Sequence, residues 1–187
     1  MRLDKPRITP LREDELTEEQ HKQLGPFGLK GPVLNIFKTL VRAPEANKQF
    51  LRYGGYILSD ANTLKPRERE IVILRVGLLC KSGYEWAQHE IIGKQSGLTD
   101  DEIARIKQGA DAKGWSAADA ALIRATDDLV TNHFISDESW AGLSDLTDRQ
   151  KIDLIFTVGQ YTQVSMLLNS LGVQLDEGLT LDPDLRG

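Results

Sequence analysis

The sequence predicts an all-α protein, a single-domain helical bundle of about eight helices. Three observations carry that prediction. Helix-start signatures recur, with Ser or Thr followed three positions later by Glu or Gln at Thr17, Ser82, Thr99 and Thr147. Apolar residues recur at helical spacing, as in Ile152, Ile155, Val158, Thr162 and Met166. Period-two alternation is absent, and no hairpin dipeptide separates candidate strands.

Each element has its own signal. The stretches "RITPLRED" and "LGPFGLKGP" are rich in Pro and Gly with scattered Leu and Phe. They predict an extended arm over 1–30, interrupted by a helix at 17–24 that the Thr17…Gln20 box starts. Pro32, Pro44 and Pro66 each stand at the head of a helix-like run, where a missing N–H costs nothing. They predict helices over 32–42, 44–59 and 66–81. In the last of these, Ile73, Leu74, Gly77, Leu78 and Cys80 form a broad apolar face. The Ser82…Glu85 box opens a helix over 83–96, and Thr99…Glu102 opens one over 99–109. Ser116…Asp119 is a weaker variant and opens 116–133. A short helical turn falls near 137–144, and Thr147…Gln150 opens a long helix over 147–171. The tail "LDEGLTLDPDLRG" has the character of the arm and occupies 173–187. No internal repeat of fixed period and no linker break 32–171, so one domain over 31–172 is the economical reading.

Bulk properties exclude several classes. A net charge of −5 with the signs interspersed argues against nucleic acid as a partner, because phosphate binding needs a basic surface. Arg75 interrupts the longest apolar run, near 71–80, so nothing approaches the roughly 20 apolar residues of a membrane span. The start "MRLDKPRITPLRED" has no apolar core of a signal peptide. One cysteine excludes an intrachain disulfide and any Cys-rich metal site. A reducing cytoplasm is the expected compartment.

The densest chemistry is "CKSGYEWAQHE", residues Cys80 to Glu90. His89 titrates near neutral pH and lies one turn from Glu85 and Trp86, which suits a general acid or base and equally a half-buried packing histidine. Glu70, one helix earlier, projects on the side of Ile73, Leu74 and Gly77. A carboxylate on an apolar face must be paired or protonated, although acidic residues near a helix start are also favoured by the dipole. Glu85 has a structural explanation as the capping partner of Ser82. Tyr84 could donate a hydrogen bond or a proton, and Trp86 could wall a pocket; both are equally packing residues. Cys80 is either a small buried hydrophobe or a thiol activated by Lys81 and His89. A metal is the least favoured reading, since "HE" at 89–90 lacks a second histidine four positions on. No cofactor is expected.

The segment "LKPREREIVILRVGLLCKSGYEWAQHEIIGKQSGLTDDEIARI" resembles the core of the carboxymuconolactone decarboxylase family, whose superfamily includes the alkyl hydroperoxidase D proteins. The flanking "GPVLNIFKTLVRAPE" and "RATDDLVTNHFISDESWAGL" are similar to the same family, so the likeness spans roughly 31–172. The resemblance implies an all-α fold assembled as a dimer, trimer or hexamer and acting on a small molecule. The hydroperoxidase branch spaces Glu, eleven residues, Cys, two residues, Cys, three residues, His. On this chain Glu70 and His89 take the Glu and His places, while Ser82 and Glu85 occupy the two cysteine places. The proton-relay half of the motif is kept and the dithiol is missing. The resemblance therefore implies decarboxylase-like acid–base chemistry, a decarboxylation or isomerisation of a small organic acid, lactone or aromatic-derived compound. Glu70, His89 and Tyr84 would be its catalytic residues, with Trp86, Glu85 and Cys80 lining the substrate. The alternatives are a hydroperoxide reductase using Cys80 alone and a non-catalytic binding member.

Overall fold

Helix α4, Pro66–Leu79, is buried on every side from Arg69 to Gly77, and the other helices are arranged around it. The computed structural model describes residues 3–28 and 32–186. Among these the order is α1 (Glu18–Gly28), α2 (Asn35–Leu40), α3 (Pro44–Ile57), α4, α5 (Gly83–Gln95), α6 (Asp100–Gln108), α7 (Ala117–Asn132), α8 (Asp137–Gly142) and α9 (Asp148–Leu171). Short 3-10 turns lie at Glu13–Glu15 and Pro183–Leu185. The described residues hold nine helices and no strand. Residues 1, 2, 29 and 30 of the expected arm, residue 31 of the expected domain and residue 187 of the tail lie outside the described residues.

Most helix starts follow the local chemistry. The hydroxyls of Thr99, Ser116, Ser136 and Thr147 each accept the amide three residues on, and these four residues share an extended ψ of 157–160°. Thr17 and Gln20 exchange the two bonds of a capping box. Helix α1 runs four residues past its expected end, because Pro26 reads as a helix stop in sequence and yet sits inside the helix.

Helix α4 packs against α5, α6, α7 and α9, and α3 lies along α9. One apolar cluster joins Val72, Ile73 and Val76 of α4 to Leu122 and Ala125 of α7 and to Leu154, Val158 and Val164 of α9. A second gathers Ile71 and Leu74 with Trp86, Leu98, Ile103, Ile106 and Ile123. The face of α9 differs from the one its spacing suggests. Val158 is buried, but Ile152, Ile155, Phe156 and Met166 are 41–61% exposed, and the inward stripe is Leu154, Thr157, Val158, Tyr161, Val164 and Leu168. The helix carries apolar residues on both sides, so periodicity alone finds two stripes and does not rank them.

The ends of the chain are tied together. The Arg7 amide donates to the Leu171 carbonyl at 2.8 Å, and Gln174 Nε2 donates to the Leu3 carbonyl at 3.1 Å. Between them Gly172 closes α9 in the left-handed region, φ 68°, where a Cβ would stand 2.7 Å from the Lys5 carbonyl oxygen. Only glycine fits that position.

Candidate active site

A tight turn brings α5 back along α4. Lys81 takes the left-handed conformation at φ 53°, and the Ser82 amide donates to the Gly77 carbonyl at 2.8 Å. These are the marks of a helix terminated by a Schellman-type closure. The turn fixes Ser82 at ψ 86°, far from the ψ of the helix caps that form, and its hydroxyl makes no cap bond. The Ser82…Glu85 box expected from sequence is therefore absent, and Ser82 Oγ is buried without a partner.

Glu85 is thereby released for another role. Its Oε1 lies 3.0 Å from His89 Nε2, one helical turn on. From the other side, Glu70 Oε2 lies 2.6 Å from His89 Nδ1. Glu70 is fully buried, and Glu85 and His89 are nearly so. Gly93 on α5 lets Leu98 pack close, since a Cβ there would stand 3.1 Å from Leu98 Cδ1, and it faces Glu70 Cβ at ordinary contact distance. The edge of the Tyr161 ring packs on the imidazole, centroids 4.9 Å apart. Burial opposes charge on His89, but the Glu70 and Glu85 carboxylates outweigh it and raise its pKa to about 10. At neutral pH the centre is an imidazolium held between two carboxylates.

The centre opens onto a cavity of about 280 Å³. Phe37, Phe50, Leu51, Leu58, Ile92 and Val164 supply apolar walls, and His89, Glu85, Gln160 and Tyr161 supply polar ones. Helix α3 contributes the adjacent glycines Gly54 and Gly55, and a Cβ on Gly55 would meet nothing within 4 Å. Glu70 stands behind His89 and does not line the cavity. The space suits a ring-sized molecule of roughly ten non-hydrogen atoms.

The other expected residues go to different places. Tyr84 lines the cavity, but its hydroxyl donates to Asp176 Oδ2, which also accepts from Gln88 Nε2 at 2.9 Å. Burial, with the Asp176 carboxylate at its hydroxyl, pushes the Tyr84 phenol far above its ordinary range. The structure thus commits its proton to Asp176 rather than to a substrate. Trp86 lies about 130° around α5 from the stripe of Tyr84, Glu85, Gln88, His89 and Ile92. It packs among Ile71, Leu74 and Ile103, with Lys107 Nζ 5.3 Å from its ring, and does not wall the cavity. Cys80 ends α4 on the far side of the turn. It lines a separate cavity with Arg7, Thr162, Met166 and Asn169, so the structure does not bring it to His89.

Two residues were not singled out in sequence. Gln160 is 1% exposed, and neither amide atom has a partner. Asp176 accepts from Tyr84, from Gln88 and, at 2.8 Å, from the Asn35 amide at the start of α2. A glutamine within the mostly apolar run of α9 was the only available hint of the first; Asp176 lies in a tail that carried none. Among the described residues no group of three or more His, Cys, Asp and Glu is arranged to hold a metal ion. No helix among them is long and apolar enough to cross a membrane.

Residues 44–127 match the model of the carboxymuconolactone decarboxylase family. No curated protein is similar enough to count as a relative. Solved structures share the fold at low identity. A peroxidase-related protein from Ralstonia eutropha JMP134, described as an alkylhydroperoxidase AhpD core, is 16% identical with a TM-score of 0.80, covering 92% of this chain and 93% of its own. A peroxidase-related protein from Silicibacter sp. TM1040 is 16% identical with a TM-score of 0.75, covering 94% and 92%. The debrominase Bmp8 in complex with 2,3,4-tribromopyrrole is 13% identical with a TM-score of 0.70, covering 91% of each.

Proposed function

We propose, for a chain whose segment 44–127 belongs to the carboxymuconolactone decarboxylase family, that Glu85, His89 and Glu70 are an acid–base centre. It acts on a small lactone, organic acid or aromatic-derived compound, shifting a double bond with or without loss of CO2. The observation that carries this reading is His89, hydrogen-bonded to Glu70 at one ring nitrogen and 3.0 Å from a Glu85 oxygen at the other, at one end of an apolar cavity. In that role the Glu85 carboxylate takes a proton from the substrate carbon, and the electron pair moves into a dienolate. The His89 imidazolium returns a proton at the far carbon. The proton on Glu85 then crosses the 3.0 Å contact to His89 Nε2 and resets the pair. When CO2 leaves instead, the breaking carbon–carbon bond supplies the electron pair, His89 protonates the carbon, and a proton from water restores His89. Glu70, behind the ring, holds the imidazole in place and favours its charged form, a positioning residue in the manner of a buried carboxylate behind a catalytic histidine. The apolar walls keep the dienolate away from water. Bmp8, a neighbour in fold, binds a ring of comparable size. A peroxide reaction at Cys80 lacks this support, since its cavity holds neither Glu70 nor His89.

The test uses α-angelica lactone in D2O, followed by proton NMR. Wild-type protein is expected to accelerate deuterium uptake and the double-bond shift. His89→Ala and Glu85→Gln are expected to abolish the acceleration, and Glu70→Gln to reduce it about 10²-fold. A wild-type rate equal to buffer, or an unchanged rate in His89→Ala, would sink the proposal.

A further inference from the structure

We infer that Gln160 reads the polar end of the substrate, and that the substrate is a neutral compound with a hydrogen-bond donor and a carbonyl acceptor side by side, as in a lactam or a hydroxy-enone. The inference rests on the acid–base reading's identification of the cavity as the substrate site, and narrows that reading to the double-bond shift of a neutral compound without loss of CO2.

Gln160 is 1% exposed and both Oε1 and Nε2 lack a partner. A buried amide with nothing bonded to either end is expensive, and a leucine in its place would avoid the cost. Orphaned polar groups of this kind call for a missing partner. The amide belongs to the wall that His89, Glu85 and Tyr161 also form. Its Nε2 lies against Gly54 of α3, where a Cβ would stand 3.7 Å away, and that helix gives it no hydrogen-bond partner. Two neighbouring glycines inside a helix weaken that helix, and both line the cavity at this point.

The chemistry of the amide selects the ligand. A primary amide presents one acceptor and one donor on a single edge. A lactam or a hydroxy-carbonyl edge matches both at once. A carboxylate matches only the donor and sets its charge against Oε1. The rest of the lining agrees: it includes Glu85, and among the described residues it includes no Lys or Arg. Among the described residues that line the cavity, the His89 imidazolium is the one cation, and two carboxylates already answer it; Arg69, near enough to act on Tyr161, does not line it. An anion entering this cavity would lose its water without meeting an unpaired counter-ion in the wall.

Calorimetric titration with 2-pyridone, benzoate and benzene tests the inference. Wild-type protein is expected to bind 2-pyridone at least about tenfold more tightly than benzoate. Gln160→Leu is expected to weaken 2-pyridone about tenfold or more, to leave benzene binding equal or tighter, and to raise the melting temperature. A purely structural glutamine would lower the melting temperature instead. Gln160→Met, close to glutamine in length, serves if the leucine variant does not fold. Absence of 2-pyridone binding to wild type, benzoate binding as tight as 2-pyridone, or 2-pyridone binding unchanged in both variants overturns the inference. If lactone turnover persists while these results fail, only this inference falls. If 2-pyridone behaves as expected without lactone turnover, only the acid–base proposal falls.

Discussion

Helix α4 buries three charged residues, Arg69, Glu70 and Arg75, and its neighbours treat the last two oppositely. Arg75 faces α7 and α6. Its Nε and Nη2 donate to Asp127 at 2.5 and 2.9 Å, and its Nη1 donates to the Ile106 carbonyl at 2.8 Å. Glu70 faces α5. Its Oε2 meets His89, but its Oε1 is buried without a partner. The same unevenness recurs in the cavity wall, where Gln160 is also left unpaired. A fully paired charge fixes helices relative to one another. A partly paired group holds back bonding capacity that folding did not use, and beside a cavity that capacity is open to a ligand.

The largest way to break this contrast is Arg75→Ala. It takes the cation from Asp127, whose side chain is 33% exposed, and leaves the Ile106 carbonyl with the Gly109 amide alone, so stability is expected to fall by about 3 kcal/mol in denaturant titration. The next is Asp176→Ala, which removes the acceptor of Tyr84, Gln88 and the Asn35 amide. A loss of about 2 kcal/mol is expected, with faster hydrogen exchange at the α2 amides. Glu70→Gln keeps shape and one hydrogen bond, so a change of only about 1 kcal/mol is expected, in contrast to its large effect on turnover.

That variant also sharpens the pH behaviour. His89 holds its proton more tightly in the folded protein, with a pKa of about 10 against an ordinary 6.5. The folded state therefore binds more protons than the unfolded state across that window. The stabilisation is complete below about pH 6.5 and is lost as pH rises toward 10. Unfolding free energies measured at intervals from pH 6 to 10 should fall, and the fall should be shallower in Glu70→Gln. The smallest effect is that of Gly55→Ala, which adds a Cβ where nothing stands within 4 Å. Helix α3 is expected to gain about 0.5–1 kcal/mol while the cavity narrows and 2-pyridone binds less well.

Much of the fold was legible because helix starts are local. Thr99, Ser116 and Thr147 cap as their spacing implies, and each does so with an extended backbone that the preceding loop permits. Ser82 has the same spacing and fails, because the closure at Lys81 sets its backbone first. That failure could not be read locally, and it hid the contact of Glu85 with His89. The approach of Glu70 to His89 followed from a resemblance, and its geometry needed the turn between α4 and α5. Trp86 could have been placed by angle alone, since it does not share the stripe of Glu85 and His89. Gln160 could not, because its place beside α3 and His89 is set by elements far apart in sequence. The Asp176 carboxylate accepts from Gln88, Tyr84 and Asn35, all far earlier in the chain, so its role could not be read from its neighbours in sequence.

The clasp around Gly172 bears on how the chain is made. Residues near position 5 lie against the carbonyls that end α9, a helix made long after them. The early segment therefore has to wait for this partner until α9 has been made. Contacts of such long sequence separation form late and slow the final approach to the native state. Replacing Gly172 with any residue bearing a Cβ would strike that last closing step hardest. The expected result is a nearly complete bundle with its first strand of chain unfastened.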